Sequence, residues 1–317
     1  MATPDARTGQ PEVTVDLAGV HLANPLVLAS GIWGSGSGTL IRAGLAGAGA
    51  VTSKSCSVVP RKGHPNPTVL SWGHGLINAV GLSNPGAEAE RAELEHARDA
   101  LRGTGVALIA SVFGDTPSAF AEAVRILEPA GADLIELNIS CPNVESEFGR
   151  PFAFEPAAAA SVTDAVRRVY GGPLLVKLSP NAPEIVAVAR AVVGAGADGL
   201  TAVNTLGPGM VIDIHARRPI LSNRTGGVSG PALRPVAVRC VYEIAAAVNV
   251  PIVGTGGVAS GADALEMIMA GATAVGIGSA LEQYGERIFP RVLEQMTQLM
   301  TELGIASLDE IRGCAHV

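Results

Sequence analysis

Residues 130–143 read AGADLIELNISCPN. The glycine of Ala130-Gly131-Ala132 suits the end of a helix, where a left-handed backbone is needed that glycine adopts without steric cost. The run that follows alternates as a strand does. Glu136, Asn138 and Ser140 fall on one side, Leu137 and Ile139 on the other. An acid, an amide and a hydroxyl are expensive to bury without partners. Pro142 cannot continue a hydrogen-bonded ladder, so the strand stops there and Cys141 sits on the turn beside Asn143. Polar groups at the C-terminal end of a buried strand read as a site. A lone cysteine is more often a buried, inert thiol; the asparagines around Cys141 favour a chemical role.

The same unit recurs. Ala46-Gly47-Ala48, Ala195-Gly196-Ala197 and Ala270-Gly271-Ala272 each stand between a helical pattern and an apolar run. Eight such runs are candidate strands: 26–30, 50–54, 106–112, 134–140, 174–179, 199–205, 251–255 and 274–278. Short, wholly apolar runs fit parallel strands covered on both faces. Segments between them carry helical spacing, at 85–102, 117–129, 183–194, 231–247 and 261–270. Eight βα units in a row imply a (β/α)8 TIM barrel, α/β in class, with residues 1–317 as a single domain. A doubly wound open sheet is the alternative, but no GxGxxG follows the first strand. Residues 1–11 read as a loose N-terminus and 13–22 as a β-hairpin plug beneath the barrel. Two connections, 55–84 after strand 2 and 206–230 after strand 6, are too long for turns and leave the ends where barrel enzymes build their sites. Residues 283–303 read as the closing helix, with Tyr284, Ile288, Val292 and Met296 as its buried stripe. Residues 304–317 suggest no chemistry.

Composition narrows the function. With 48% apolar and 16% charged residues, the chain can fill a large core. A net charge of −7 argues against a nucleic-acid binder, while leaving room for local cations around an anionic ligand. The four cysteines, Cys56, Cys141, Cys240 and Cys314, form no CxxC pair and no metal-ligand set. No signal peptide and no membrane-spanning run are visible, so the expectation is a cytoplasmic protein with reduced thiols and no membrane partner.

The strand ends carry the rest. Gly254-Thr255-Gly256-Gly257 and Gly276-Ile277-Gly278-Ser279 close strands seven and eight, the place where this fold commonly binds phosphate through backbone amides; glycines that merely permit tight turns are the simpler alternative. Lys54 and Lys177 both fall at the barrel mouth, either as an internal ion pair with Glu136 or as cations for a ligand. Asn78, Asn138, Asn143 and Asn204 converge there too. Amides donate and accept at once, which suits a ring with alternating N–H and C=O groups.

These residues carry a resemblance along nearly the whole chain. Thr52-Ser53-Lys54-Ser55, Asn78-Ala79-Val80-Gly81-Leu82, Leu137-Asn138-Ile139-Ser140-Cys141-Pro142-Asn143, Val176-Lys177-Leu178-Ser179-Pro180, Val203-Asn204-Thr205, Thr225–Pro231 and Gly254–Gly257 resemble the motifs of the dihydroorotate dehydrogenases. The resemblance implies FMN, its phosphate held by Gly256, Gly257, Gly278 and Ser279, and its ring lined by Ser30, Lys54, Ser55, Ser111, Asn138, Val203 and Gly230. Lys177 would stand at the pyrimidine edge. Lys54, Asn78, Ala79, Val80, Gly81, Leu82, Asn138, Asn143, Asn204 and Thr205 would bind dihydroorotate, and Cys141 would be the catalytic base that removes the C5 proton as hydride leaves C6 for flavin N5. A cysteine base and these motif versions look like class 1, type 1B. That type implies a homodimeric core within a heterotetramer, with a partner subunit that carries FAD and a 2Fe–2S cluster and reduces NAD. A fumarate-linked type 1A enzyme, a dihydropyrimidine dehydrogenase-like FMN barrel and a non-catalytic scaffold are the alternatives; Asn143 argues against the second and the intact Cys141 and Lys177 against the third. Two positions depart from the pattern: Ser111 stands where type 1B has asparagine, and Ser279 replaces threonine.

Overall fold

The computed structural model describes residues 10–140 and 152–317. It opens with an antiparallel hairpin, β1 (Val15–Leu17) and β2 (Val20–Leu22), turning on Ala18 and Gly19. Both turn residues have positive φ, 54° and 83°, which matches the right-handed twist of a tight hairpin. Leu17 and Leu22 are fully buried, and the turn shares a hollow with Pro251, Ile252 and Thr273 at the N-terminal ends of two barrel strands.

Next come β3 (Leu26–Leu28), α1 (Ser37–Leu45) and β4 (Ala50–Thr52). The first long excursion carries β5 (Val69–Ser71) and β6 (Leu76–Asn78), and the chain returns through α2 (Ala87–Leu101), β7 (Ala107–Val112), α3 (Pro117–Leu127) and β8 (Leu134–Asn138). Then follow α4 (Pro156–Arg167), β9 (Leu174–Leu178), α5 (Ile185–Gly194) and β10 (Gly199–Ala202). The second excursion carries β11 (Leu206–Gly209), β12 (Ile212–Asp213), β13 (Arg218–Pro219) and β14 (Gly226–Ser229). Last are α6 (Arg234–Ala245), β15 (Ile252–Thr255), α7 (Gly261–Met269), β16 (Ala274–Ile277), α8 (Ala280–Tyr284) and α9 (Ile288–Leu303).

Strands β3, β4, β7, β8, β9, β10, β15 and β16 form a closed parallel barrel, sealed where Val275 of β16 pairs with Leu26 of β3. All eight expected strands are present, each within two or three residues of its sequence limits. The repeated Ala-Gly-Ala junctions do what glycine permits there: Gly47, Gly131, Gly196 and Gly271 have φ of 110°, 70°, 105° and 117°.

The two long connections are structured together. β11, β14, β6 and β5 form one antiparallel sheet in that order, beside the barrel mouth. It has its own small core of Ile77, Ala79 and Leu221. Gly227 is required by close approach, since a Cβ there would collide with the Thr205 side chain.

One expectation needs correction. The closing helix is not continuous: Gly285 takes a positive φ and separates α8 from α9 by a 3-10 turn. Ile288, Val292 and Met296 are buried as expected, but Tyr284 lies on the other side of the break, half-exposed beneath the Arg291 guanidinium. Residues 304–317, of which the sequence suggested no chemistry, pack against the rest of the chain. Glu12 pairs with Ser307, Gly313 N–H donates to Ile268 O at 3.0 Å, and the His316 ring stacks on Tyr242 at 3.9 Å.

One packing feature breaks the apolar pattern. The buried stripe of α2 is Ala87, Glu90, Leu94, Ala97 and Leu101, spaced as a helix face should be but with a carboxyl in it. Glu90 is 1% exposed and its Oε2 has no hydrogen-bond partner. Burial, with the Glu93 carboxylate second, lifts its pKa from 4.5 to about 7. The folded state therefore holds this proton more tightly than the unfolded chain, and stability falls as pH rises from about 4.5 to about 7. Glu90→Gln is expected to flatten that fall and to raise stability above pH 7, by up to about 3 kcal/mol. Urea unfolding of both proteins at pH 5 and pH 8 checks this; an equal loss at pH 8 in the two would contradict it.

Candidate active site

The C-terminal ends of the barrel strands and the added sheet enclose a cavity of about 470 Å³, within the ordinary range for small-molecule sites. Gly256, Gly257, Gly278 and Ser279 line it from the last two strands. Ser30, Lys54 and Ser55 line it from the first two, and Asn138, Lys177, Val203, Asn204 and Thr205 from the fourth to the sixth. The long excursions contribute Asn78, Val80, Gly81, Leu82 and Gly230. Cys141 and Asn143 lie outside the described residues.

Two expected residues stand elsewhere. Ala79 is fully buried in the small core of the added sheet, with its N–H donating to Thr68 O at 2.7 Å. Within the Asn78–Leu82 run it points away while its neighbours reach the cavity. Ser111 does not line the cavity either. It is fully buried behind Ser55, its hydroxyl 2.9 Å from Ser55 Oγ and 3.2 Å from Glu136 Oε1.

Sequence reasoning missed part of the wall. Ile32, Trp33, Val69, Ser71, Ser229 and Glu282 also line the cavity. A signal for two of them was present: residues 69–71 and 76–78 flank Gly73 and Gly75, the pattern of a glycine-containing hairpin.

Strand register explains the polar floor. Ser111 pairs with Glu136, Asn138 with Lys177, and Lys177 with Thr201, so these side chains share the inner face of four consecutive strands. Asn138 Nδ2–H donates to Ser55 Oγ at 3.0 Å. Asn204 Nδ2–H donates to Ser140 Oγ at 2.8 Å, and its Oδ1 accepts from Thr205 N–H at 2.8 Å. On the opposite wall, Asn78 Nδ2–H donates to Gly227 O at 3.3 Å. Gly31, with φ 84°, lets Lys54 lie against bare backbone.

The electrostatic feature of the site is Lys177. It is 5% exposed and faces the cavity, and its ammonium has no hydrogen bond or ion pair to any described residue. An internal ion pair with Glu136 is not formed. The Glu136 carboxylate instead accepts from Ser111 Oγ and from Thr201 Oγ1, the latter at 2.8 Å. A buried cation without a counter-charge is costly, and an anionic ligand in the cavity would offset it.

The described cysteines are off the cavity. Cys56 is fully buried, and burial, helped by the nearby Glu90 charge, pushes its thiol far above the ordinary range. Burial raises the Cys240 thiol too, and Cys314 is exposed near the C-terminus. Neither high-pKa thiol is suited to serve as a base. Among the described residues no helix is long and apolar enough to cross a membrane, and no group of three or more His, Cys, Asp or Glu could hold a metal ion.

Comparison with known proteins agrees along the chain. Residues 12–300 match the family model described as dihydroorotate dehydrogenase. A protein of Methanothermobacter thermautotrophicus named "Dihydroorotate dehydrogenase B (NAD(+)), catalytic subunit" is 45% identical over 300 residues, which cover 95% of this chain and 97% of that one. A protein of the same name from Methanocaldococcus jannaschii is 41% identical over 308 residues, 97% of this chain and 99% of its own. The crystal structure of DHODH in complex with ferulenol from Eimeria tenella superposes with a TM-score of 0.84 over 99% of this chain and 91% of that one. At 22% identity that likeness speaks for the fold alone. With a family model spanning most of its length and relatives above 40% identity over nearly all of it, the chain belongs to the dihydroorotate dehydrogenase family.

Proposed function

We propose that the chain oxidises (S)-dihydroorotate to orotate, a step of pyrimidine biosynthesis, with FMN bound in the cavity and electrons passed on to NAD. The observation that carries the proposal is the buried ammonium of Lys177, unpaired among the described residues, in a cavity walled on one side by glycines. FMN fits that donor set. Gly256, Gly257, Gly278 and Ser279 bring bare backbone to one end, suited to a phosphate. Ser30, Ser55, Val203 and Gly230 make a neutral wall for a flat ring, and Lys177 supplies a cation for its pyrimidine edge. When bound, FMN supplies the hydride acceptor.

The chain's own residues do the rest. Lys54 and the amides Asn78, Asn138 and Asn204, with Asn143, would hold the substrate carboxylate and ring, assisted by Thr205 and the Val80–Leu82 backbone. As the family resemblance implies, Cys141 Sγ would take the C5 proton. Lys177 would favour negative charge at the ring edge. Such preorganised charge acts strongly in a site shielded from water. Ser111 and Ala79 would act only through neighbours, because neither reaches the cavity. The relatives' names include the words "catalytic subunit", which supports a second subunit that carries the electrons to NAD. An FAD and a 2Fe–2S cluster on that subunit, and a homodimeric core for this one, complete the proposal.

Anaerobic mixing of the purified protein with (S)-dihydroorotate is expected to bleach the visible flavin absorbance, and mixing with 5,6-dihydrouracil is not. A flavin that stays oxidised with dihydroorotate would overturn the assignment. Cys141→Ala is expected to keep its flavin and slow the bleaching by roughly 10²- to 10⁴-fold, the usual contribution of a general base; stopped-flow absorbance reads this, and wild-type bleaching in the variant would remove the base from Cys141. Lys177→Met deletes a buried charge that is unpaired among the described residues. The apo fold should be at least as stable, while flavin affinity or the rate of reduction falls roughly 10²-fold. Thermal melts and fluorescence titration with FMN separate the two effects, and a variant that is destabilised yet normal toward flavin would show the lysine to be structural.

A further inference from the structure

We propose that Glu136 is a positioning residue: its carboxylate sets the direction of a run of hydroxyl groups that ends on Asn138 at the cavity floor, and so holds that amide with Nδ2 toward Ser55 and Oδ1 toward Asn204. The inference rests on the reading of Asn138 as a ligand-facing group. Glu136 lies below the cavity, 3% exposed, and has no place in the reaction described above.

The argument is one of counting protons. A carboxylate only accepts, and a hydroxyl has one proton to give. Ser111 spends its proton on Glu136 Oε1, and Thr201 spends its own on Oε2. In the 2.9 Å contact between Ser111 and Ser55, Ser111 can therefore only accept, and Ser55 donates. With its proton spent, Ser55 Oγ can only accept from Asn138 Nδ2, 3.0 Å away. Ser30 Oγ, 3.3 Å from Ser55 Oγ, spends its proton on Ser53 O at 2.7 Å and so can only accept, which leaves Ser55 a donor in either contact. The Asn138 amide is thereby held with Nδ2 toward Ser55. Its Oδ1 faces the other way, accepting from Ser140 Oγ at 3.1 Å and from Ser140 N–H and Asn204 Nδ2, each at 3.4 Å.

Without the carboxylate the order is lost. Ser111 is then free to turn its proton to Ser55, and Ser55 to turn its own toward Asn138, where it meets Nδ2, donor against donor. The amide must either give up Ser55 or turn over and set Nδ2 against the Ser140 N–H and Asn204 Nδ2. Ser111 is the coupling element, since only a residue that both gives and takes one proton passes the direction on. This gives Ser111 a physical role.

Glu136→Met is close in size and apolar. Flavin-loaded protein carrying it is expected to bind orotate roughly tenfold more weakly than wild type, read from the shift of the flavin absorbance on titration, because a buried polar contact is left unmatched. The side-chain ¹H–¹⁵N signal of Asn138, identified by its loss in Asn138→Ala, is expected to move without any ligand present. The decisive comparison is made in a Ser111→Ala background. There the run is already cut, and Glu136→Met should change orotate affinity less than about twofold and leave the Asn138 signal in place. A full effect in that background would mean that the charge acts through space, and would overturn the proposal, as would wild-type behaviour of Glu136→Met alone. Should Glu136→Met not fold, Ser111→Ala decides by itself: its Asn138 signal moves if the run exists, and an unmoved signal sinks it. If wild-type flavin shows no response to orotate, the functional reading fails, and the ligand-free Asn138 signal still decides the hydroxyl run.

Discussion

Everything at the site depends on the closure of the barrel. The last strand pairs with the first, Val275 against Leu26, and this single seam leaves the sheet without an edge. Closure also fixes register, because a slip of one residue would turn every inward side chain outward. The pairings Ser111–Glu136, Asn138–Lys177 and Lys177–Thr201 exist only in the closed register. They bring one anion, one cation, one amide and two hydroxyls onto the inner face of neighbouring strands. A fold that buried such groups at random would be unstable; here all but one find partners within the barrel.

The exception defines the site. Glu136 is matched by two hydroxyls, whereas Lys177 is matched by none among the described residues. The barrel therefore carries an unpaid electrostatic cost at the mouth, and it falls where a ligand can offset it. Glu90 is a second unmatched charge, but it lies in the stripe of a peripheral helix, and its raised pKa lets it shed that charge by taking up a proton. The contrast separates a site from an irregularity of packing: Lys177 faces a cavity with glycine walls, and Glu90 faces none.

The added sheet shows how a generic barrel acquires a particular pocket. The excursions after β4 and β10 are far apart in sequence, yet β6 pairs with β14, and each brings residues to the same wall. Asn78 reaches Gly227 across 149 positions of chain. The glycines of β14 serve this approach, leaving space for Thr205 from the neighbouring turn. The cavity is thus a joint product of the barrel, which supplies charge, and the sheet, which supplies enclosure.

The order of elements was legible in the sequence, because it rests on local physics. Apolar runs of strand length, helical spacing between them and glycines at the junctions need no tertiary contact to be read. The strand-end clusters around Lys54, Asn138, Lys177, Asn204 and Gly256 were legible for the same reason, since a strand's end is a local fact and the fold gathers all such ends on one face. What the sequence could not decide is which groups satisfy one another. That Ala79 turns into a core while Val80 reaches the cavity, that Ser111 stands behind Ser55, that Glu136 takes two hydroxyls in place of Lys177, and that Gly285 breaks the last helix all depend on distances between segments distant in the chain. Pairing energies between such segments are set by register and close packing, and those come into being only when the barrel closes.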